Sequence, residues 1–302
     1  MNETKIEWVK NPDGSPGYTW NPITGCLNHD NGLCRGGDFL CYAYRLAHGR
    51  LKSRYLSNAN VAPVQMTLQS DYQEACRQQG DSLAMARDDP FYPRFWPGRL
   101  AEMLWQQGTK PKGIFVCDMS NLFGIGIPEA WQHQIFSAIK CNPQHRFYLL
   151  TKQPQNLARW SPFPDNCYVG VTATGPRYFA EACNYLRDIE APVKFLSIEP
   201  YLEEIVGSRL DAMLMHLAGI NWLIIGGQAK PEKLPKIEWL REIVEAAHKA
   251  GIKVFLKDNL NPIFAENDCA GFNQYQDQFF TIIDNFPTRY HLRQEMPNRE
   301  GT

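Results

Sequence analysis

The fold is decided by a repeating pattern that begins with the stretch Gly113-Ile114-Phe115-Val116-Cys117-Asp118-Met119-Ser120. This apolar run ends in polar residues, and a helix is predicted after it from Pro128 to Cys141, where proline suits the first turn. A second apolar run, from Arg146 to Lys152, then repeats the arrangement. Continuous apolar runs separated by helices are typical of a parallel sheet that is buried on both faces.

Four further apolar runs and one earlier strand extend this pattern. The later runs cover residues 167–173, 193–200, 222–228 and 252–258, and a helix is predicted from Lys236 to Ala250, closed by Gly251. With a strand from Thr19 to Thr24, the count of seven favours a closed or nearly closed βα barrel over the alternative, a doubly wound sheet. Polar residues follow the strands at the end where barrel enzymes place their chemistry. The sequence therefore predicts an α/β, TIM-like barrel, partial or complete.

The predicted domain organisation is one barrel with an insertion and a tail. The barrel covers residues 1–260, and the interval 51–97 interrupts its rhythm with Arg- and Gln-rich helical sequence and then a turn-rich segment. Residues 261–302 have no clear period, and their aromatic side chains favour an ordered C-terminal cap. The insertion is expected to cover the mouth of the barrel.

Composition narrows the class of protein. The chain has 302 residues, of which 44% are hydrophobic, and this indicates a globular protein with a large core. Its net charge of −1 provides no global basic field that would attract nucleic acid or an acidic membrane. No stretch approaches the about 18 apolar residues of a membrane span, and the first residues do not resemble a signal peptide. We therefore expect a cytoplasmic protein without a membrane partner.

Three of the nine cysteines lie close together, at Cys26, Cys34 and Cys41, in a glycine-rich segment after the first strand. An odd cysteine number with irregular spacing argues against a disulfide framework. The C-x7-C-x6-C spacing allows three interpretations. The thiolates could hold three irons of a four-iron cluster and leave the fourth iron open. They could instead bind zinc with His29 as a fourth ligand, or they could be unligated core residues.

The sequence around these cysteines resembles a known signature. The stretches Trp20-Asn21-Pro22-Ile23-Thr24-Gly25-Cys26 and Cys41-Tyr42-Ala43-Tyr44-Arg45 resemble the N-P-x-x-G-C … C-Y-A-x-R pattern of radical S-adenosylmethionine enzymes near spore photoproduct lyase. They resemble more closely a phage and prokaryotic family of unknown function allied to those enzymes. Later strand sequences follow that family's motifs in order, over roughly residues 5–260. The interval between Cys34 and Cys41 departs from the C-x2-C that such proteins commonly keep.

The resemblance implies a cofactor and a reaction. It implies a 4Fe–4S cluster on Cys26, Cys34 and Cys41, with S-adenosylmethionine bound to the open iron and cleaved to a 5′-deoxyadenosyl radical. It also implies an external electron donor and an unidentified substrate, for which kinship with a DNA repair enzyme makes nucleic acid a candidate. The alternative is a non-catalytic zinc- or iron–sulfur-binding module of a phage or mobile-element complex.

The residues that end the predicted strands are candidate contacts for the cofactor, although no catalytic residue is assigned. The resemblance implies that Asp118 and Ser120 bond the amino group of the cofactor. Most of these candidates also have a purely structural interpretation. Asp118 or Ser120 could cap a turn, and Thr172 could reflect the preference of threonine for strands. Glu199 could form an ion pair with Lys152 or Lys257. The remaining candidates, for the ribose and the adenine, are Thr172, Glu199, Gly226 and Gly227.

A second candidate surface combines basic and aromatic residues, a composition that suits stacked bases and phosphates. An ordinary solvated insertion with core aromatics explains the same composition. Its members are Arg45, Arg50, Lys52, Arg54, Arg94 and Arg99 beside Tyr44, Tyr55, Phe95 and Trp96.

Overall fold

A computed structural model of the chain describes residues 1–63, 86–205, 209–266, 279–282 and 290–297. Strands and helices alternate through most of this length. The strands are β1 Asn2–Glu3, β2 Tyr18–Trp20, β3 Ile23–Thr24, β4 His29–Asp30, β5 Leu33–Cys34, β6 Arg94–Phe95, β7 Gly113–Val116, β8 Arg146–Thr151, β9 Cys167–Thr172, β10 Val193–Ile198, β11 Trp222–Ile225, β12 Gln228–Ala229, β13 Glu232–Lys233, β14 Lys253–Leu256, β15 Phe280–Ile282 and β16 Tyr290–Leu292. The helices are α1 Tyr42–His48, α2 Lys52–Leu56, α3 Pro97–Ala101, α4 Glu129–Lys140, α5 Pro176–Arg187, α6 Arg209–Leu217, α7 Ile237–Lys249 and α8 Asn261–Glu266.

Eight strands form one largely parallel sheet in the order β1-β2-β7-β8-β9-β10-β11-β14. The pairs β2–β7, β7–β8, β9–β10, β10–β11 and β11–β14 are parallel, whereas β1 runs antiparallel to β2. All seven predicted strands therefore occur, and the α/β class is confirmed. Closure of the sheet into a barrel stays a prediction. None of the described helices is long and apolar enough to cross a membrane.

The chain divides into two compact units. The first comprises Met1–Arg159 with Pro164–Cys167, and the second comprises Trp160–Phe163 with Tyr168–Thr302. The predicted division into a barrel, an insertion at 51–97 and a tail from 261 stays a prediction. The helical sequence expected around residues 70–87 lies mostly outside the described residues.

The first unit has a core of aromatic and aliphatic side chains on both sides of its strands. Every residue of β7 is buried, and the ring of Phe115 packs 5.0 Å from that of Trp8. Helix α4 covers nearly the predicted range, with Pro128 as its N-cap instead of in its first turn, and buries Ile135, Phe136 and Ile139. The predicted strand from Thr19 to Thr24 is wrong in one respect. It is split at Pro22, which lacks the N–H that a continuous ladder requires, and β3 pairs with β6 instead.

The second unit is built around strands β9, β10, β11 and β14. Helix α7 covers nearly the predicted range and buries Leu240, Ile243 and Val244, and Gly251 follows it with a φ of 71°. The ring of Trp222 packs 5.5 Å from Phe195 and 6.2 Å from Phe255. The strands are therefore buried on both faces, which explains their unbroken apolar sequence.

Gly170 lies against the ring of Phe195, and a Cβ at this position would come within 2.4 Å of that ring. Because Phe195 is fully buried, the ring has little room to move. We expect Gly170→Ala to lower the free energy of unfolding by about 1–3 kcal/mol through overpacking. Urea unfolding of the purified protein measures this change. Gly98→Ala is the control, since nothing lies near its Cβ and alanine suits helix α3. Equal stability of both variants would contradict the packing account.

Candidate functional site

The segment that carries the three cysteines begins with a tight hairpin. Strands β4 and β5 pair His29 with Cys34, and the turn between them has Asn31 and Gly32 at φ of 44° and 90°. Two successive residues with positive φ are characteristic of a type I′ turn, for which Asn-Gly is the preferred pair. The Asn-Gly dipeptide is readable from the sequence, but the sequence analysis did not use it. The hairpin fixes Cys34 at its far end.

The same segment closes on itself before helix α1. The backbone N–H of Cys34 donates to the carbonyl of Phe39 at 2.9 Å, and that of Cys41 donates to the carbonyl of Gly32 at 2.8 Å. Leu33 and Leu40 form an antiparallel bridge between these bonds. Cys41 then stands immediately before α1, in extended conformation. We call residues 25–41 the cysteine loop.

The cysteine loop is attached to the carboxyl end of β7. Gly25 donates its N–H to the carbonyl of Met119 at 3.0 Å, and the hydroxyl of Ser120 donates to the carbonyl of Gly25. Gly25 has a φ of 87°, and a Cβ there would come within 2.4 Å of the carbonyl oxygen of Phe91. A side chain at position 25 is therefore excluded both by the backbone conformation and by the lack of space. The expected role of Ser120 as a cofactor contact stays a prediction, and its observed bond fastens the loop.

Asp118 lies at the same strand end and has partners from the protein. Its carboxylate accepts a hydrogen bond from the side-chain amide of Asn21, and its backbone carbonyl accepts one from the hydroxyl of Tyr42. Burial raises the pKa of this carboxyl group above its ordinary value, against the lowering effect of these contacts. Cys117, directly before it, has a φ of 60°, a backbone conformation that non-glycine residues seldom adopt. The strand end is therefore locally strained and polar.

The thiols of the cysteine loop are electrostatically linked. Burial raises the pKa of Cys26 to about 12; the hydrogen bond from the Asn28 N–H to its sulfur, 3.4 Å long, acts in the opposite direction. Negative charge on Cys34 or Cys41 raises the pKa of Cys26 further, while Lys152 lowers it. Burial also raises the pKa of Cys34, and Lys152 again opposes this rise. Burial therefore favours the neutral thiols of Cys26 and Cys34, and a bound cation would favour their thiolates.

Lys152 lies against the cysteine loop. A Cβ at Gly36 would come within 2.5 Å of the backbone carbonyl of Lys152, and the Lys152 ammonium is 5.5 Å from the ring of Phe39. From the sequence, Lys152 was expected only as an alternative ion-pair partner of Glu199. No sequence pattern connects residue 152 with residues 36 and 39, because the contact depends on tertiary structure.

The donor atoms of the loop are not arranged as a finished metal site. Within the described ranges, no group of three His, Cys, Asp or Glu side chains has metal-binding geometry. His29, the suggested fourth zinc ligand, accepts the N–H of Gly32 at its Nδ1, 3.4 Å away, and its ring packs 4.9 Å from Tyr44. Three thiols on one closed loop match the soft ligands that iron–sulfur clusters and zinc both take.

In the second unit, the candidate residues at the strand ends contact one another. Glu199 forms an ion pair with Lys257, one of the two partners considered for it, and its role as a cofactor contact stays a prediction. A Cβ at Gly226 would come within 2.9 Å of the Lys257 side chain and 3.4 Å of that of Glu199. The Asn259 amide donates to the carbonyl of Gly227 at 2.8 Å and accepts its N–H at 3.2 Å. Asn259 is a member of this group that the sequence analysis missed.

Two buried polar groups that follow strands have no hydrogen-bond partner among the described residues. In the second unit, Thr172 is 3% exposed and its Oγ1 is unsatisfied. In the first unit, Gln153 is 5% exposed and its Nε2 is unsatisfied, although its Oε1 accepts the N–H of Ile125. A buried polar group without a partner costs about 1–3 kcal/mol, which a bound ligand could recover. Thr172 was a predicted cofactor contact, whereas Gln153 was not.

Comparison with known proteins gives one match. Residues 3–266 match the model of a family described as a protein of unknown function, DUF5131. The chain belongs to this family. The span matched to DUF5131 contains the cysteine loop and every strand-end residue described above. No curated protein matches the chain, and no solved structure does.

The predicted basic and aromatic surface is wrong for several of its members in this DUF5131 chain. Arg94 is fully buried, and Tyr55 and Phe95 are buried as well. The Trp96 indole donates to the hydroxyl of Thr24 at 2.8 Å, and the Arg99 guanidinium lies 4.0 Å from the indole ring. These side chains connect the segment to the rest of the first unit, so the alternative of core aromatics is correct for them. The members that are exposed are Arg45, Arg50, Lys52 and Arg54.

Proposed function

We propose that the protein is a radical S-adenosylmethionine enzyme whose cysteine loop holds a 4Fe–4S cluster through Cys26, Cys34 and Cys41. The observation that carries the proposal is the placement of three thiols on one closed loop, fastened to the carboxyl end of β7 beside the half-buried carboxylate of Asp118. Three thiolates leave one iron for a ligand that is not protein. A strand end in an α/β fold is also where enzymes of this class bind ligands.

The residues around the thiols support the binding of such a cluster. The N–H of Asn28 points to the sulfur of Cys26, and Lys152 contributes positive charge near Cys26 and Cys34. Hydrogen bonds to sulfur and nearby charge are the means by which proteins stabilise and tune clusters. When bound, the cluster supplies the electron that cleaves the sulfonium of S-adenosylmethionine to a 5′-deoxyadenosyl radical. The protein's own task is to bind and orient S-adenosylmethionine and to exclude water from it.

Each cofactor contact is proposed within its own unit. In the first unit, the Asp118 carboxylate would accept hydrogen bonds from the cofactor's ammonium group, while Ser120 positions Gly25. In the second unit, the unsatisfied Thr172 hydroxyl and the Glu199 carboxylate suit a ribose. Gly226 and Gly227 are the candidates for an adenine ring, which would displace the Lys257 and Leu234 side chains that now pack against them. The proposal includes a βα barrel, partial or complete, and a cytoplasmic location, where cluster thiols stay reduced. The substrate is unassigned, and nucleic acid is a candidate by kinship alone.

A turnover assay tests the proposed activity. Anaerobically reconstituted, dithionite-reduced protein should convert S-adenosylmethionine to 5′-deoxyadenosine, slowly in the absence of substrate. The alternative function, a non-catalytic metal-binding module, predicts no 5′-deoxyadenosine. Protein that contains one zinc and takes up no iron under these conditions would overturn the proposal and favour the alternative.

Asp118→Asn tests the first cofactor contact. The substitution keeps the shape of the side chain but removes the charge that would face the cofactor's ammonium group. We expect the affinity for S-adenosylmethionine to fall on the order of tenfold, because charge-assisted hydrogen bonds contribute about 1.5–3 kcal/mol. Titration calorimetry on the reconstituted protein measures the affinity, and iron content should be unchanged. Asp165→Asn, at an exposed position of the same unit, is the control. Unchanged affinity in Asp118→Asn would remove this residue from the proposed site.

A further inference from the structure

The cysteine loop presents apolar side chains to solvent beside its cysteines. Leu33 is 44% exposed, Leu40 is 63% exposed and Tyr42 is 44% exposed. Leu33 directly precedes Cys34, and Leu40 and Tyr42 are the chain neighbours of Cys41 on either side. The bridge between Leu33 and Leu40 brings two of the three side chains together. An exposed apolar group of this kind is typical of the centre of a protein interface.

Cations adjoin this apolar group. Arg45 lies three residues after Tyr42 on α1, and positions three apart share one face of a helix. Arg50 lies just before α2, and Lys52 and Arg54 lie on it. These three side chains and that of Arg45 are all exposed. The chain has no acidic residue between Asp38 and Asp71, although its net charge is −1. The positive charge is therefore concentrated next to the cysteine loop.

We propose that Leu33, Leu40 and Tyr42, with Arg45, Arg50, Lys52 and Arg54, form the docking surface for an acidic redox protein that reduces the cluster. We call these seven residues the donor surface. The proposal rests on the proposed function, since it needs a cluster on the three cysteines. The donor that we propose carries a flavin as its redox centre. One electron leaves the reduced flavin and enters the oxidised cluster, so the flavin is oxidised by one electron and the cluster is reduced by one.

The composition of the donor surface favours a protein over a nucleic acid. Leucine side chains do not stack on bases, and Tyr42 is the one exposed aromatic residue of the donor surface, since Tyr55 and Phe95 are buried. An acidic protein with an apolar patch around its cofactor complements both the cations and the leucines. Because Leu33 and Leu40 each adjoin a cysteine in the chain, a partner seated on them would approach the cluster closely.

The test measures how fast a reduced bacterial flavodoxin reduces the reconstituted cluster, with dithionite reduction as the reference. Two variants change the donor surface outside the cysteine loop: Arg45→Glu and the double variant Arg50→Glu/Arg54→Glu. Each should slow reduction by flavodoxin on the order of tenfold or more at low salt, and leave dithionite reduction unchanged. Wild-type reduction by flavodoxin should slow as salt rises. The matched controls are Lys140→Glu for the single variant and Lys110→Glu/Lys140→Glu for the double variant, at two exposed lysines.

The outcomes separate the two proposals. If dithionite yields no reduced cluster in the wild type, the proposed function fails and the donor surface fails with it. If dithionite reduces the cluster but both donor-surface variants accept electrons from flavodoxin like the wild type, only the donor surface is overturned. If Arg50→Glu/Arg54→Glu loses affinity for single-stranded DNA and keeps its rate with flavodoxin, the cations bind nucleic acid and the proposed partner is wrong.

Discussion

Cys26→Ala and Cys41→Ala are each expected to abolish the iron–sulfur cluster, reducing the bound iron from about four atoms per chain to nearly none. Loss of one thiolate opens a second iron to water, and a cluster held by two thiolates on a loop is readily hydrolysed. Iron analysis and visible absorbance after anaerobic reconstitution measure this effect. Cys34→Ala should behave in the same way, because the hairpin turn fixes Cys34 within the same closed loop.

Other cysteines provide controls for this experiment. Cys141 is exposed at the end of α4, and Cys183 is buried on α5, both outside the cysteine loop. Cys141→Ala should leave iron content and stability unchanged, and Cys183→Ala should leave iron content unchanged. The same is expected for Cys76→Ala and Cys269→Ala, whose positions lie outside the described residues. A full cluster in Cys26→Ala or Cys41→Ala would contradict the ligand assignment.

Arg94→Met is expected to lower the free energy of unfolding by about 3–5 kcal/mol. The Arg94 guanidinium is buried and donates to four backbone carbonyls, those of Tyr55, Arg87, Asp89 and Tyr92. Methionine fills much of the space but removes all four hydrogen bonds, and among the described residues only the carbonyls of Tyr55 and Asp89 keep a backbone N–H donor, from Asn58 and Tyr92. Urea unfolding measures the loss. Because the variant could fail to fold, Arg94→Lys offers a second measurement, with a smaller loss since an ammonium can satisfy some of the carbonyls.

Arg54→Met is the matched control, since Arg54 is exposed on α2. We expect its free energy of unfolding to stay within about 0.5 kcal/mol of the wild type. A loss below about 1 kcal/mol in Arg94→Met would contradict the anchoring role of Arg94. Because both positions carry arginine, the comparison of Arg94→Met with Arg54→Met distinguishes a structural arginine from a surface arginine.

The parallel sheet could be predicted because its signal is local. Each strand from β7 to β14 that joins the sheet lies in a mainly apolar run, and the helices between them carry a signal at one end: a proline at the start of α4 and α5, and a glycine after α6 and α7. The split between β2 and β3 was missed although Pro22 marks it. The short strand β1 carries too few residues for any pattern to identify it. Closure of a barrel depends on contacts between distant parts of the chain, about which periodicity gives no information.

The candidate site was predictable in its residue types but not in its contacts. The cysteines and Asp118 follow strands in the sequence, so they are predicted to lie near the carboxyl ends of the strands in the sheet. Whether Glu199 pairs with Lys152 or Lys257 cannot be read from residue order, and the structure shows the pair with Lys257. The basic and aromatic composition around Arg94 predicted a surface position, whereas its burial depends on three nearby carbonyls, at residues 87, 89 and 92, and on the distant carbonyl of Tyr55. Tertiary hydrogen bonds of this kind leave no periodic signal.

The most direct measurement of the central claim is electron paramagnetic resonance of the reduced, anaerobically reconstituted protein with and without S-adenosylmethionine. The account predicts the spectrum of a reduced 4Fe–4S cluster that changes when S-adenosylmethionine is added, because the cofactor binds the iron that the three cysteines leave open. The change should be absent from Cys26→Ala, which should hold no cluster. A cluster spectrum that S-adenosylmethionine leaves unaltered, or a protein that binds zinc alone, would contradict the account.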